Sequence, residues 1–282
     1  MRESDRVRIE ELVGDGLLLD VGGYARPFLR ADYVIDIFPY ETRCIVADGI
    51  GRLPTTCLHR DPLPGERFRK ETWIIHDICS GFPFPDKMFD FVVASHVLED
   101  VRDPIRACSE IIRVGRAGYI EVPSRIIEQT MGFEQEGVVG CPRHRWLVEI
   151  QDNCLTFRLK PHFLHTHKKY YIPRSFTRTL FPEVQCPFIF WNGSFEYGEI
   201  YGYDDYREAE EFVGSLSIPK HLYWLDSLDA YRTKMTRCYR RLRVKIGRLR
   251  RGRRYRTEQD LWTRHGLFEA NRTLLQKEHP FI

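Results

Sequence analysis

Five short apolar runs punctuate the first half of the chain, at 17–21, 33–37, 73–76, 90–95 and 118–122. Each is bounded by Gly, Pro, Asp or charged residues. They are nearly continuous in apolar character, as strands buried on both faces of a parallel sheet must be. Between the last two lies "RDPIRACSEIIRVGRAG". Asp103 can cap a helix there, Pro104 suits its first position and Gly115 follows its last turn. Ile105, Cys108, Ile111 and Ile112 share one face, so the segment predicts a strand–helix–strand crossover. Residues 3–12 predict a short surface helix. Beyond Ser124 the pattern changes. "RWLVEIQDNCLTFRLK" alternates about Asp152-Asn153, and "QCPFIFWNGSFEYGEIYG" alternates about Asn192-Gly193, so both predict β-hairpins. The segment 38–72, rich in Pro, Gly and Arg, predicts no element.

The fold class that follows is α/β: a Rossmann-like, mostly parallel sheet with an antiparallel C-terminal hairpin and a basic helical tail. Three portions are expected. Residues 1–124 form the core, 125–202 an acceptor-side portion whose two hairpins complete the sheet or a lid, and 203–282 a helical, basic C-terminal region.

Ligands of open parallel sheets sit outside the carboxyl ends of the strands, where strand order reverses. The residues ending the runs are therefore the informative ones: Asp20-Val21-Gly22-Gly23, Asp36-Ile37, Asp77-Ile78, Ser95-His96 and Glu121. A carboxylate at the end of the second strand suits a ribose diol, because it accepts both hydroxyl hydrogens. A dinucleotide would require G-x-G-x-x-G opening a helix, so that the pyrophosphate rests on the helix N-terminus. "GGYARP" has no third glycine and leaves little room for a helix before the next strand. A nucleoside with an amino-acid tail and no phosphate fits better, and S-adenosylmethionine is such a molecule.

Residues 76–124, "HDICSGFPFPDKMFDFVVASHVLEDVRDPIRACSEIIRVGRAGYIEVPS", closely resemble the class I S-adenosylmethionine-dependent methyltransferases of the type 11 branch. That branch shows an Asp, then L-P-F-P-D-x-x-F-D, a strand, H-x-L-E-H with D-P, and E-x-x-R-V. The resemblance covers about residues 15–124. It implies that Asp20, Gly22 and Gly23, with Val21 between them, contact the methionine portion. It implies that Asp36, with Ile37, holds the ribose, and that Asp77 and Ile78 lie beside the adenine. Ser95 and His96 then border the reacting methyl. The chain departs from the branch at the third glycine, at Asp100 in place of the second His, and at Ala117-Gly118 in place of a glycine pair.

Methyl transfer to a hydroxyl needs a group to take the proton. His96 and His144 are the catalytic candidates; Glu121, Arg143, Arg145 and Trp146 are expected to bind the acceptor, the last three as partners for an anionic or sugar-like molecule. The run Cys141, His144, His162, His165 and His167 fits no zinc pattern, and no cysteine pair supports one, so no metal is expected.

Charge changes the picture once. The chain is +3 overall, yet residues 232–256 hold 13 Lys or Arg and no acid, which leaves the remainder at −10. Within that stretch Met235, Tyr239, Leu242, Ile246 and Leu249 recur at spacings of four and three, the pattern of a basic amphipathic helix on an anionic membrane surface. Packing on the acidic body and nucleic-acid binding stay open as alternatives, the latter weaker for want of an RNA-binding module. The eight scattered cysteines without a CxxC pair point to a reducing cytoplasm. The charged start "MRESDRVRIEEL" has no signal-peptide core, so the expected location is cytoplasmic, with the tail at the inner membrane face. The expected activity is O-methylation of a small or glycan-type acceptor, presented at a membrane. RNA methylation through the tail, and a non-catalytic binding module on the same fold, are the alternatives.

Overall fold

The computed structural model describes residues 1–24, 26–42, 65–165, 167–202, 205–228, 231, 235, 236 and 239. Met1–Asp226 form one compact unit and Ser227–Ile282 a second. The basic stretch 232–256 lies almost wholly outside the described residues.

The first unit is built on a six-stranded sheet. Its strands in chain order are β1 (Leu18–Val21), β2 (Tyr33–Asp36), β3 (Trp73–Ile75), β4 (Phe89–Ser95), β5 (Gly115–Glu121) and, after two other strands, β8 (Phe188–Asn192). A smaller sheet holds β6 (Trp146–Gln151), β7 (Cys154–Leu159) and β9 (Glu196–Glu199). The large sheet runs β3-β2-β1-β4-β5-β8, parallel throughout except for β8. Strand order reverses between β1 and β4, the Rossmann switch point.

Helix α2 (Pro104–Val114) forms where the sequence predicts it. The Asp103 carboxylate accepts the Arg106 N–H at 2.8 Å, Pro104 occupies the first turn, and Ala107, Cys108, Ile111 and Val114 are buried. Gly115 follows the last turn and opens β5 directly. Alternation then sorts the strand residues. Leu19, Val21, Val92, Ala94 and Ile120 join α2 and the inner residues of β6 and β7 in one core cluster. Leu18, Val34, Phe91, Val93 and Tyr119 join helix α1 (Glu3–Val13) through Ile9 and Val13 in the other.

The β1–β2 connection contains no helix among its described residues. Phe28 and Ala31 from this loop fill the second cluster instead. The β6–β7 hairpin turns at Asp152 and Asn153, whose φ values of 47° and 64° are those of a two-residue primed turn.

The hairpin expected about Asn192-Gly193 does not form. Only one bridge, Asn192 to Ser194, spans that turn. The free edge of β5 offers β8 five residue pairs, and Tyr119 stacks on Phe188 at 5.6 Å. β9 leaves to pair parallel with β7. The longer buried edge outcompetes the local turn. The expected portion 125–202 therefore shares its core with the parallel sheet, since Trp146, Val148, Leu155 and Phe157 sit in the same cluster as α2.

Candidate active site at the carboxyl edge of the sheet

Register brings the strand ends level: Val21 pairs with Ile35 and Ala94, Asp36 with Ile75, and Ser95 with Glu121. The predicted residues thus share one edge, but they do different work there.

Asp20 is 5% exposed, and its Oδ2 accepts the Phe28 N–H at 2.7 Å. Burial pushes its pKa up to about 7 against that hydrogen bond, with the Asp36 charge adding to the rise. It braces the helix-free loop. Gly22 follows with φ +76°, and a Cβ there would lie 2.4 Å from Val97 Cγ2, so the turn requires glycine and packs on β4's end. Val21 and Ile78 point into the core, 0% and 4% exposed; of Val21 only the backbone is left for a ligand.

Asp36 accepts the Tyr24 N–H on Oδ2 at 2.9 Å and the Phe38 N–H on Oδ1 at 2.7 Å. Burial raises its pKa, and the backbone amides of Phe38, Tyr24 and Ile37 oppose the rise. Around it stand Tyr24, Ile37, Phe38 and Ile75, 40–52% exposed at strand ends where the sheet is otherwise buried. The Tyr24 and Phe38 rings lie 4.8 Å apart. Asp77 caps the turn after β3 through the Cys79 N–H at 2.9 Å and pairs with Arg102 at 3.3 Å. A carboxylate at the strand end, ringed by apolar side chains facing solvent, fits the adenosine half of S-adenosylmethionine.

Beyond the switch point the edge becomes ionic. His96 holds φ +56°, an uncommon backbone state for a non-glycine residue. Its Nε2 is 2.9 Å from Glu121 Oε1 and its Nδ1 3.4 Å from Glu99 Oε1. Burial lowers the His96 pKa, but hydrogen bonds with Cys186, Glu121 and Glu99 outweigh it and push it up to about 12. Glu121 would rise through burial; hydrogen bonds from His96 and Tyr119 help hold it down at about 2. Its Oε2 accepts the Tyr119 hydroxyl at 2.5 Å, and Ser95 Oγ donates to Oε1 at 3.2 Å.

The segment Cys141–Trp146 is pinned to this edge by the Glu99 carbonyl, which accepts the Arg145 and Trp146 N–H groups at 2.8 and 3.2 Å. His144 Nδ1 is 2.6 Å from Glu128 Oε1, while Nε2 faces Asp100 Oδ1 at 3.8 Å and Glu99 Oε1 at 4.0 Å. Burial lowers the His144 pKa as well, and Cys141 and Glu128 drive it up to about 10. Glu128 sits at the end of the short helix α3 (Arg125–Glu128), whose Ser124 cap accepts the Ile127 N–H. Its pKa is lowered by His144 and Lys160 despite burial.

Three expectations need correction. The groups around His96 and His144 draw both rings toward the charged form, which works against either one accepting a proton. Glu121 orients His96, and its oxygens are already taken by His96, Tyr119, Ser95 and the N-terminal amine. Trp146 is a core residue: it is 8% exposed, donates Nε1–H to the Val101 carbonyl at 2.9 Å and packs edge-on against Phe157. Arg143 and Arg145 are exposed, and Arg143 pairs with Glu134 at 2.8 Å.

Sequence reasoning missed Glu99. It is 0% exposed, and beyond the 3.4 Å contact of Oε1 with His96 Nδ1 its carboxylate oxygens have no hydrogen-bond partner. An acid in "SHVLED", four residues after the end of β4 and following Val97-Leu98, was the signal available.

Residues 57–120 match the family model described as "Methyltransferase domain". The likeness to a methyltransferase domain is confined to these residues, which include β3, β4, α2 and most of β5. No curated protein sequence matches it. Among solved structures, an S-adenosylmethionine-dependent methyltransferase from Mesorhizobium loti is 15% identical over 56% of this chain and 63% of its own, with a TM-score of 0.32. A putative methyltransferase from Bacillus halodurans is 18% identical over 43% and 50%, with a TM-score of 0.30. The [4+2]-cyclase SpnF is 23% identical over 42% and 45%, with a TM-score of 0.28. The chain thus spans 45–63% of the length of these three structures. The strand order and the domain match, not these overlaps, fix the methyltransferase fold, and the domain implies S-adenosylmethionine as cofactor.

Proposed function

We propose that the chain O-methylates a small or glycan-type acceptor, with the acceptor hydroxyl placed at Glu99. Bound S-adenosylmethionine supplies a methyl group already activated by its sulfonium. The work left to the protein is alignment and removal of one proton. Asp36 and the Tyr24–Phe38 pair hold the nucleoside end on β2. Glu99, on the first turn after β4, lies on the side of the switch point where the methyl is expected.

The observation that carries the reading is the fully buried Glu99 carboxylate, which the His96 contact leaves short of hydrogen bonds, between the His96 and His144 rings. An acceptor hydroxyl donating to Glu99 supplies the missing hydrogen bond and gives its proton a destination. Exposed Arg143 and Arg145 border the same segment and suit a polar acceptor such as a sugar.

A membrane-presented acceptor is supported by Tyr231, Met235 and Tyr239, which are helical and 64%, 54% and 66% exposed at the start of the basic stretch. Among the described residues no helix is long and apolar enough to cross a membrane.

The test is methyl transfer from labelled cofactor to purified cell-envelope glycans, small sugars and RNA, with the product identified by mass spectrometry. An O-methylated sugar is expected. Glu99→Gln should lower kcat by about 10²–10⁴ while cofactor affinity is unchanged. Labelled RNA with no labelled glycan would overturn the reading, as would full activity of Glu99→Gln.

A further inference from the structure

Glu128, Cys141 and His144 converge in a way that methyl transfer does not use. Each offers one ligand atom, and the three atoms lie within 4.8 Å of one another. All three are withdrawn from solvent: Glu128 is 0% exposed, the free thiol Cys141 7%, and the His144 side chain 9%. Two of them come from one C-x2-H turn and the third from α3, sixteen residues upstream of the histidine.

The turn is built against the helix. Gly140 has φ +59°, and a Cβ there would lie 2.3 Å from the Glu128 carbonyl oxygen, so only glycine allows this approach. The Gly140 N–H donates to the Thr130 carbonyl at 2.8 Å. Lys160, 7% exposed, clamps the other side, with Nζ donating to Glu128 Oε2 at 2.5 Å and to the Cys141 carbonyl at 2.9 Å. The lysine takes Oε2 and leaves Oε1 facing His144 Nδ1.

We propose that Glu128 Oε1, Cys141 Sγ and His144 Nδ1 bind a divalent transition metal of the zinc class. A thiolate, an imidazole and a carboxylate make a borderline-soft set that suits zinc and disfavours magnesium or calcium, which take oxygen ligands. Three protein ligands leave a fourth position open. The outer contacts agree. With Nδ1 on the metal, His144 Nε2 carries the proton, and it faces Asp100 and Glu99. A carboxylate receiving the distal N–H of a ligating histidine is the usual second layer of such sites. The expectation of no metal rested on the spacing of Cys141, His144, His162, His165 and His167 and did not include Glu128.

The same contacts also suit a closed ion cluster with a proton on Nδ1, and metal binding separates the two directly. The full-length protein is stripped with a chelator and titrated with Zn²⁺ by calorimetry, then with Co²⁺ followed by absorbance. About one equivalent should bind, with a near-ultraviolet thiolate-to-cobalt band. Cys141→Ser should abolish that band, and Cys141→Ser and His144→Asn should each weaken Zn²⁺ binding at least about 100-fold, beyond the usual cost of an outer-layer change. Circular dichroism checks that each variant is folded, and His165→Ala should bind like the wild type. Zn²⁺ uptake below about a tenth of an equivalent overturns the proposal, and so does an unchanged affinity in folded Cys141→Ser. None of these readouts depends on methyl transfer, so the proposed function and the metal site stand or fall separately.

Discussion

Asp20→Asn isolates the cost of a single buried carboxylate. Asp20 lies at the end of β1, 5% exposed, and accepts the Phe28 N–H. Its pKa rises from an ordinary 3.8 to about 7, chiefly through burial. A rise of roughly three in pKa, at about 1.4 kcal/mol for each, is about 4 kcal/mol. The folded protein holds this proton more tightly than the unfolded chain. The contribution is therefore fully present below pH 3.8 and is lost as the pH climbs to about 7. Asparagine keeps an oxygen for Phe28 and carries no charge. Urea denaturation of both proteins at pH 4.5, 6 and 8 yields the difference in unfolding free energy, which cancels the other titrating groups. The variant should gain on the wild type by several kcal/mol between pH 4.5 and 8. A difference that stays constant across that range refutes the reasoning and leaves Asp20 accessible to ligand or water.

Tyr24→Ala should weaken cofactor binding roughly 3–10-fold through loss of aromatic contact worth about 0.5–1.5 kcal/mol. Unchanged affinity, measured by calorimetry, would remove the Tyr24–Phe38 pair from the site. Trp146→Ala should cost about 3–5 kcal/mol of stability in chemical denaturation, as for other large core residues. If instead it raises the acceptor KM at wild-type stability, the side chain contacts acceptor after all.

The parallel strands and α2 were legible because each is specified locally. Apolar runs end in Asp20, Asp36 and Ser95, and Asp103-Pro104 fixes the start of the helix. The shortened β1–β2 connection was legible too, since Pro27 and the distance to Tyr33 leave no space for a helix. The partner of β8 was not. Asn192-Gly193 is a strong local turn signal, and only the folded sheet reveals that the edge of β5 is the better partner. The ionic half of the site was hidden for a related reason. Glu128 reads as one acid in "RIIEQ", yet it is buried beside His144 and Lys160, 16 and 32 residues away. A buried charge is specified by such distant partners, and no local pattern encodes them. The same holds for Trp146, whose hydrogen-bond acceptor is 45 residues away in the chain.

Cofactor binding tests the central claim most directly. Calorimetry with S-adenosylmethionine on the full-length protein should show saturable binding of about one equivalent. Asp36→Asn removes the charge from the acceptor of the ribose hydroxyls, a change of about 1.5–3 kcal/mol. It should therefore weaken binding roughly 10–100-fold in a folded protein. No binding to the wild type, or an Asp36→Asn variant that binds equally well, would contradict the account.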